Sequence, residues 1–293
     1  MRARIWGCRG SVAAPGPDTV RYGGNTSCVE VRLDDGTMLI LDAGTGIRPL
    51  GRYLYERGAP SVHLLLTHLH LDHLQGLGFF RPLFEEGIEV HIWGPRSPTV
   101  SLRDRIALYL SPPLFPVRLA DVASTVTFHD APDEAWTIGP ASVTAVSVTH
   151  QGPTIGFRIE EGSQSLAYIP DHEPSLGVDL RSLDPEWVSG HDLARNVDVL
   201  LHDSQYGEDE YEDHVGWGHS SVAHAIAFAR IAEAKRLVLF HHDPFHDDDE
   251  LERLLVRAER LWDGPAGSLE LAYEGMVIDL ATAAPAARAQ TSV

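Results

Sequence analysis

Five short apolar runs in this chain each end on a histidine or an aspartate. The run 62–66 leads into Thr67-His68, 143–148 into Thr149-His150, and 166–169 into Pro170-Asp171. The run 197–201 leads into His202-Asp203, and 237–240 into His241-His242. Short β-rich runs bounded by turn residues read as strands. In α/β proteins, ligands collect at strand ends, where loops converge. Five such endings predict an α/β chain with one polar site at a shared sheet edge.

The first of these endings continues as THLHLDH, residues 67–73. On an extended chain His68 and His70 face the same side, which sends Leu69 and Leu71 into the protein. Asp72 and His73 come as the chain turns into Leu74-Gln75-Gly76-Leu77. The spacing predicts two adjacent metal ions, one on the HxH pair and one on the DH pair. Imidazole nitrogen with carboxylate oxygen suits zinc, manganese or iron. The competing reading is a polar surface loop with incidental histidines.

Composition narrows the setting. With 293 residues, 43% of them hydrophobic, the chain can bury a full core. No apolar run approaches the ~18 residues of a membrane span. The opening MRARIWGCRG lacks the apolar core of a signal peptide, and the only two cysteines, Cys8 and Cys28, need no disulfide. A cytoplasmic setting is therefore expected. The formal charge of −19 disfavours nucleic-acid polymers and anionic membranes as partners.

At HxHxDH the chain resembles the metallo-β-lactamase superfamily, and the resemblance covers roughly residues 1 to 280. It implies an αββα sandwich, two mixed β-sheets face to face with helices outside, as a single domain over 1–280. The early segment agrees: Val29, Val31 and Leu33 alternate with Glu30 and Arg32 as in a half-buried strand, Asp35-Gly36 turns, and 38–41 is a second strand. The following Asp42-Ala43-Gly44 matches an Asp-x-Gly loop beneath the metals, which makes Asp42 a candidate to orient the ligand loops. Carried over residue by residue, the resemblance assigns His68, His70 and His150 to the first metal. It assigns Asp72, His73 and His241 to the second, with Asp171 bridging. His241 and His242 compete for the last place, and alignment of LVLFHHDP favours His241.

The subclass rests on other residues. Flavodiiron oxidoreductases carry Glu where His70 stands, and class B β-lactamases are usually exported and often use a Cys ligand; neither matches. LLHDSQY, then GHSSVAHAIAFARIAEAKRLVLFHH, resembles the ribonuclease Z and small phosphodiesterase branch. His202-Asp203-Ser204-Gln205-Tyr206 stands for its HEATF-like stretch, with Asp for Glu. His219-Ser220-Ser221 stands for its His-Ser-Thr motif, with Ser for Thr. Ser220 or Ser221 can cap the next helix, whose Val222, Ile226 and Ala229 recur at helical spacing. His219 stays in the loop, where Asp203 can raise its basicity so that the pair protonates a leaving oxygen. His224, inside the helix, reads as structural or surface.

The resemblance implies hydrolysis by a hydroxide shared between two divalent ions, with Asp72 among its ligands. The ions make the site locally positive, which suits a phosphodiester. The glycine-rich basic arm by which ribonuclease Z grips transfer RNA has no counterpart here, so a small cyclic phosphodiester is expected. Thioester, lactone or other ester hydrolysis on the same metals, and non-catalytic metal binding, are the rival readings.

Residues 94–135 read either as a lid insertion, whose aromatics and Arg118 can meet a base and a phosphate, or as a structural excursion with a packed helix at 102–110. The Gly7–Ser11 loop resembles the first turn of the same branch, with Cys8 a packed thiol. Residues 173–196 read as a loop insertion in which Trp187 and His191 can touch substrate or the second subunit of a homodimer. A closing helix is expected over 247–262, and the Ala-rich tail 281–293 reads as disordered.

Overall fold

A strand that is apolar on both faces needs cover on both, and this requirement stacks the molecule into four layers. The computed structural model describes residues 1–58 and 61–281. The first sheet holds β1 (Arg2–Gly7), β2 (Cys28–Arg32), β3 (Met38–Leu41), β4 (Ser61–Leu65), β5 (Glu89–Gly94) and β6 (Thr125–Asp130). The second holds β7 (Trp136–Ile138), β8 (Ala141–Ser147), β9 (Ile155–Glu161), β10 (Gln164–Ile169), β11 (Val199–Asp203), β12 (Leu237–Phe240) and β13 (Leu269–Leu271). A last strand, β14 (Val277–Asp279), returns to pair antiparallel with β1. Each sheet is mixed: β3 to β6 run parallel beside an antiparallel β14-β1-β2-β3 ribbon, and β10 to β13 run parallel beside antiparallel β7 to β10.

Between the sheets, Ile5, Val29, Leu39, Leu41 and Leu65 pack against Val143, Phe157, Ile159, Tyr168, Leu201 and Phe240. Outside the first sheet lie α1 (Ile47–Tyr55), α2 (Leu71–Leu74) and α3 (Leu102–Tyr109). Their Ile47, Leu50, Leu74 and Ile106 join Ile40, Val62, Leu64 and Ile92 in a second core. Outside the second sheet lie α4 (His191–Ala194), α6 (Val222–Ile231) and α7 (Asp248–Leu261), with the short α5 (Glu208–Tyr211) at the sheet end. Leu193, Ile226, Phe228, Leu251 and Leu254 there cover Ala167, Ile169, Leu200 and Leu239. The αββα expectation therefore holds. Ser221 caps α6 by accepting from the His224 amide, and Asp247 caps α7 by accepting from Glu250. His224 is half-buried and edge-on to Tyr211. Cys8 and Cys28 are buried free thiols, and Cys8 Sγ donates to two backbone carbonyls. Among the described residues no helix is long and apolar enough to cross a membrane.

Several segments differ from the sequence expectation. β2 is buried on both faces, since Glu30 is covered and accepts from Trp6 Nε1 and from Arg32. The segment 94–135 is built into the fold: Leu102, Ile106, Leu110 and Leu119 enter the outer core, and β6 completes the first sheet. Leu108 and Leu114 are exposed, Phe115 stands edge-on to Phe79, and Arg118 is exposed. His191 is largely buried against the end of α6, with Nε2 at 3.3 Å from the Ile231 carbonyl, because α4 packs there. Trp187 is 84% exposed. Apart from Ala281, the tail expected to be disordered lies outside the described residues.

Candidate metal centre

The strand-end histidines and aspartates converge as two groups. The donor atoms of His68, His70 and His150 lie within 4.8 Å of one another, and so do those of Asp72, His73, Asp171 and His241. β4 delivers the HxHxDH loop from the first sheet, while β8, β10 and β12 deliver His150, Asp171 and His241 from the second. The site therefore spans the ends of both sheets rather than the edge of one. Asp171 faces both groups: Oδ2 lies 3.7 Å from His68 Nε2 and 3.6 Å from His150 Nε2, and Oδ1 lies 3.0 Å from His73 Nε2. Asp72 Oδ2 is 3.2 Å from both His73 Nε2 and His241 Nε2. Of the two adjacent histidines, His241 enters the cluster, while His242 turns away and donates to the Ala272 carbonyl.

Leu71 departs from the expected alternation. Leu69 is half-buried, but Leu71 is 62% exposed. The chain stays extended only to His70, and the helical turn of α2 then rotates Leu71 outward while it brings Asp72 and His73 in.

The outer nitrogen of four imidazoles is committed elsewhere. Nδ1 of His68 faces Thr67 Oγ1, that of His73 the Asp42 carboxylate at 2.8 Å, that of His150 the Gly218 carbonyl at 2.7 Å, and that of His241 Gln205 Oε1 at 3.0 Å. With Nδ1–H donated to these acceptors, each neutral ring turns an Nε2 lone pair inward. His73 Nε2 then faces His241 Nε2 at 3.3 Å, and His150 Nε2 faces His70 Nδ1 at 3.3 Å. A lone pair on one nitrogen of each pair is satisfied either by a proton on the other or by a cation between them. His68 Nε2 is buried without a hydrogen-bond partner among the described residues. The nitrogen and oxygen donor set thus fits divalent transition metals.

Electrostatics separate the two groups. Burial pulls His68, His70 and His150 below the usual imidazole range. Burial also opposes charge on Asp72 and Asp171, but neighbouring histidines, His73 and His241 foremost, outweigh it and hold both carboxyls well below the usual range. His73 moves the other way: burial lowers it, yet Asp171, Asp72 and Asp42 together raise it well above 6.5.

Beside both groups stands His219, whose Nδ1 lies 2.7 Å from Asp203 Oδ2. Burial lowers its pKa, but Asp203 chiefly, then Asp171 and Asp72, raise it to about 9. Asp203 is fully buried and fixed by the amides of His172 and Gln205. The His219 ring stacks on His241 at 4.9 Å and stands edge-on to His150.

Sequence reasoning passed over several supports. The Ser11 amide donates to Asp72 Oδ2 from a left-handed residue. Gly10 comes so close that a Cβ there would sit 2.4 Å from His241 Nδ1. The Tyr168 hydroxyl reaches up from the inter-sheet core to Asp42 Oδ2 at 3.0 Å. The glycines and serine of the first loop were the visible signal for the first two; nothing local marks Tyr168.

A family model described as "Beta-lactamase superfamily domain" matches residues 37–242. A ribonuclease Z of Myxococcus xanthus is 28% identical, over 83% of this chain and 88% of that protein. The metallo-β-lactamase fold protein YhfI of Bacillus subtilis superposes with a TM-score of 0.67 at 21% identity, covering 94% of this chain and 98% of that one. A diphosphatase of the PhnP family does so with a TM-score of 0.65 at 19% identity, over 95% and 97%.

Proposed function

The chain belongs to the β-lactamase superfamily, in its ribonuclease Z-like branch, and on that premise we propose that it is a dinuclear metal-dependent phosphoric diester hydrolase. His68, His70 and His150 would hold one divalent ion, Asp72, His73 and His241 the other, and Asp171 both. Zinc is the first choice for this donor set, with manganese or iron as alternatives. When bound, the ions supply positive charge to phosphate oxygens and lower the pKa of a water.

The observation that carries the reading is the buried Asp203–His219 pair at the edge of the cluster. With Nδ1 tied to Asp203, His219 has Nε2–H to give to a leaving oxygen. Asp203, pinned by two amides, fixes the ring and favours its protonated form. Asp42, Gln205, Thr67 and the Gly218 carbonyl orient the metal-facing histidines, and the Ser11 amide orients Asp72.

A small, cyclic phosphodiester suits the acidic surface. A second reading, a diester within RNA, is favoured by the Myxococcus relative's being a ribonuclease. The charge of −19 opposes it, and one arginine-lined hollow, at Arg48, Arg52 and Arg81, is partly neutralised by Glu56 and Glu85.

The test is a panel of bis-p-nitrophenyl phosphate, cyclic nucleotides, RNA with a 3′ extension, and simple esters, run with wild type and His219→Ala. Diester turnover that His219→Ala slows most on poor leaving groups supports the proposal. Turnover of carboxylic esters or thioesters alone would overturn it. If RNA is the substrate, affinity falls steeply with salt.

A further inference from the structure

Between two glycines, next to the metal-facing histidines, the chain holds a tryptophan out in water. Trp217 is 60% exposed, and Gly216 and Gly218 on either side both have positive φ, 87° and 91°. A fully buried carboxylate clamps this turn. Glu173 Oε1 accepts from the Gly216 amide at 2.9 Å, and Oε2 accepts from the Gly218 amide at 2.7 Å. A buried carboxylate is costly unless hydrogen bonds satisfy it, and here Tyr211 adds a further donor at 2.9 Å. Gln151 Nε2 binds the Gly216 carbonyl from the other side.

The turn is also wired to the reaction centre. The Gly218 carbonyl is the acceptor that orients His150, and Gly218 lies so close that a Cβ would meet His150 Nδ1 at 2.4 Å. His219 follows directly. The Trp217 ring stands edge-on to His214 at 4.7 Å, His214 stacks on Tyr206 at 4.4 Å, and Tyr206 stands edge-on to His219. The indole is therefore preorganised two residues from the proton donor, a chain reach of at most ~7 Å.

We infer that Trp217 is a stacking platform for the nucleobase next to the scissile phosphate, and that Glu173 positions it, so that the substrate class is a nucleoside-bearing phosphodiester. This rests on the phosphodiesterase reading. Base–aromatic stacking is worth roughly 5- to 140-fold in affinity per base.

The test compares two diesters with one leaving group, thymidine 5′-p-nitrophenyl phosphate and methyl p-nitrophenyl phosphate. The ratio of their kcat/KM values should favour the nucleoside ester in wild type. It should fall on the order of tenfold or more in Trp217→Ala and be largely kept in Trp217→Phe. Val256→Ala, at an exposed apolar position on α7, should keep it in full. An unchanged ratio in Trp217→Ala, equal losses on both esters, or a wild-type ratio near one would overturn the inference. So would Trp217→Ala acting only by breaking up a dimer, read by size-exclusion chromatography with light scattering. Parallel arms with 3′,5′-cyclic AMP and a short 3′-extended RNA show whether the base belongs to a mononucleotide or a polymer. If wild type hydrolyses no diester, the phosphodiesterase reading fails by itself. Calorimetry with AMP then decides the platform: weaker binding to Trp217→Ala keeps it, and equal binding removes it.

Discussion

The two donor groups of the cluster sit side by side but are held differently. Asp72, His73, Asp171 and His241 are all buried, whereas in the outer group His70 is exposed although the His150 imidazole is covered. The inner group is braced from below: Asp42 grips His73, Tyr168 grips Asp42 from the core, Gln205 turns His241, and the Ser11 amide fixes Asp72. The outer group leans on one threonine hydroxyl and one backbone carbonyl, and His70 is set between the rings of His68 and His150. Acids dominate the inner group and hold His73 protonatable, while burial keeps the outer histidines neutral. The inner group is thus the more closely braced, and the outer group opens to solvent at His70. We expect the inner ion to be retained longer.

The largest expected effect falls where the two groups meet, at His219. His219→Ala should lower kcat/KM by about 10²–10⁴-fold on a poor leaving group, and less on p-nitrophenolate, with both ions still bound. Steady-state kinetics beside metal analysis measure this. Equal losses on both substrates would remove the proton-donor role. Next comes the inner bracing: Asp42→Asn should weaken inner-site affinity by about 10–100-fold and leave the outer site less affected. Competition with a chromophoric chelator separates the two, and equal weakening would dissolve the distinction between them.

Tyr168→Phe keeps the ring in the core and removes only its hydrogen bond to Asp42. A bond to a charged group is worth about 1.5–3 kcal/mol, so metal-free protein should lose stability of that order in urea unfolding. The smallest effect on metal belongs to His242. His242→Ala should leave both ions in place, whereas His241→Ala should lose the inner one; the reverse would place the wrong histidine in the cluster.

Much of this was legible in the chain. Runs such as 38–41 and 237–240 are apolar at every position, as two-sided burial requires, and their ends name the residues that converge. What was illegible depends on contacts between distant segments. Glu30 looks solvent-facing until Trp6 and Arg32 cover it. Leu71 looks inward-facing until α2 begins one residue earlier than strand alternation allows. The segment 94–135 looks like an excursion because nothing local says that 125–130 pairs with β5. Tyr168 reads as one more core aromatic, since its partner Asp42 lies 126 positions away.

Metal stoichiometry tests the central claim most directly. Protein purified without chelator, or metal-free protein reconstituted with zinc, should contain close to two ions per chain by elemental analysis. Under increasing chelator it should lose them in two steps, with the second ion held more tightly than the first. One ion per chain, no uptake on reconstitution, or loss of both ions in a single step would contradict the account of an open outer and a braced inner site.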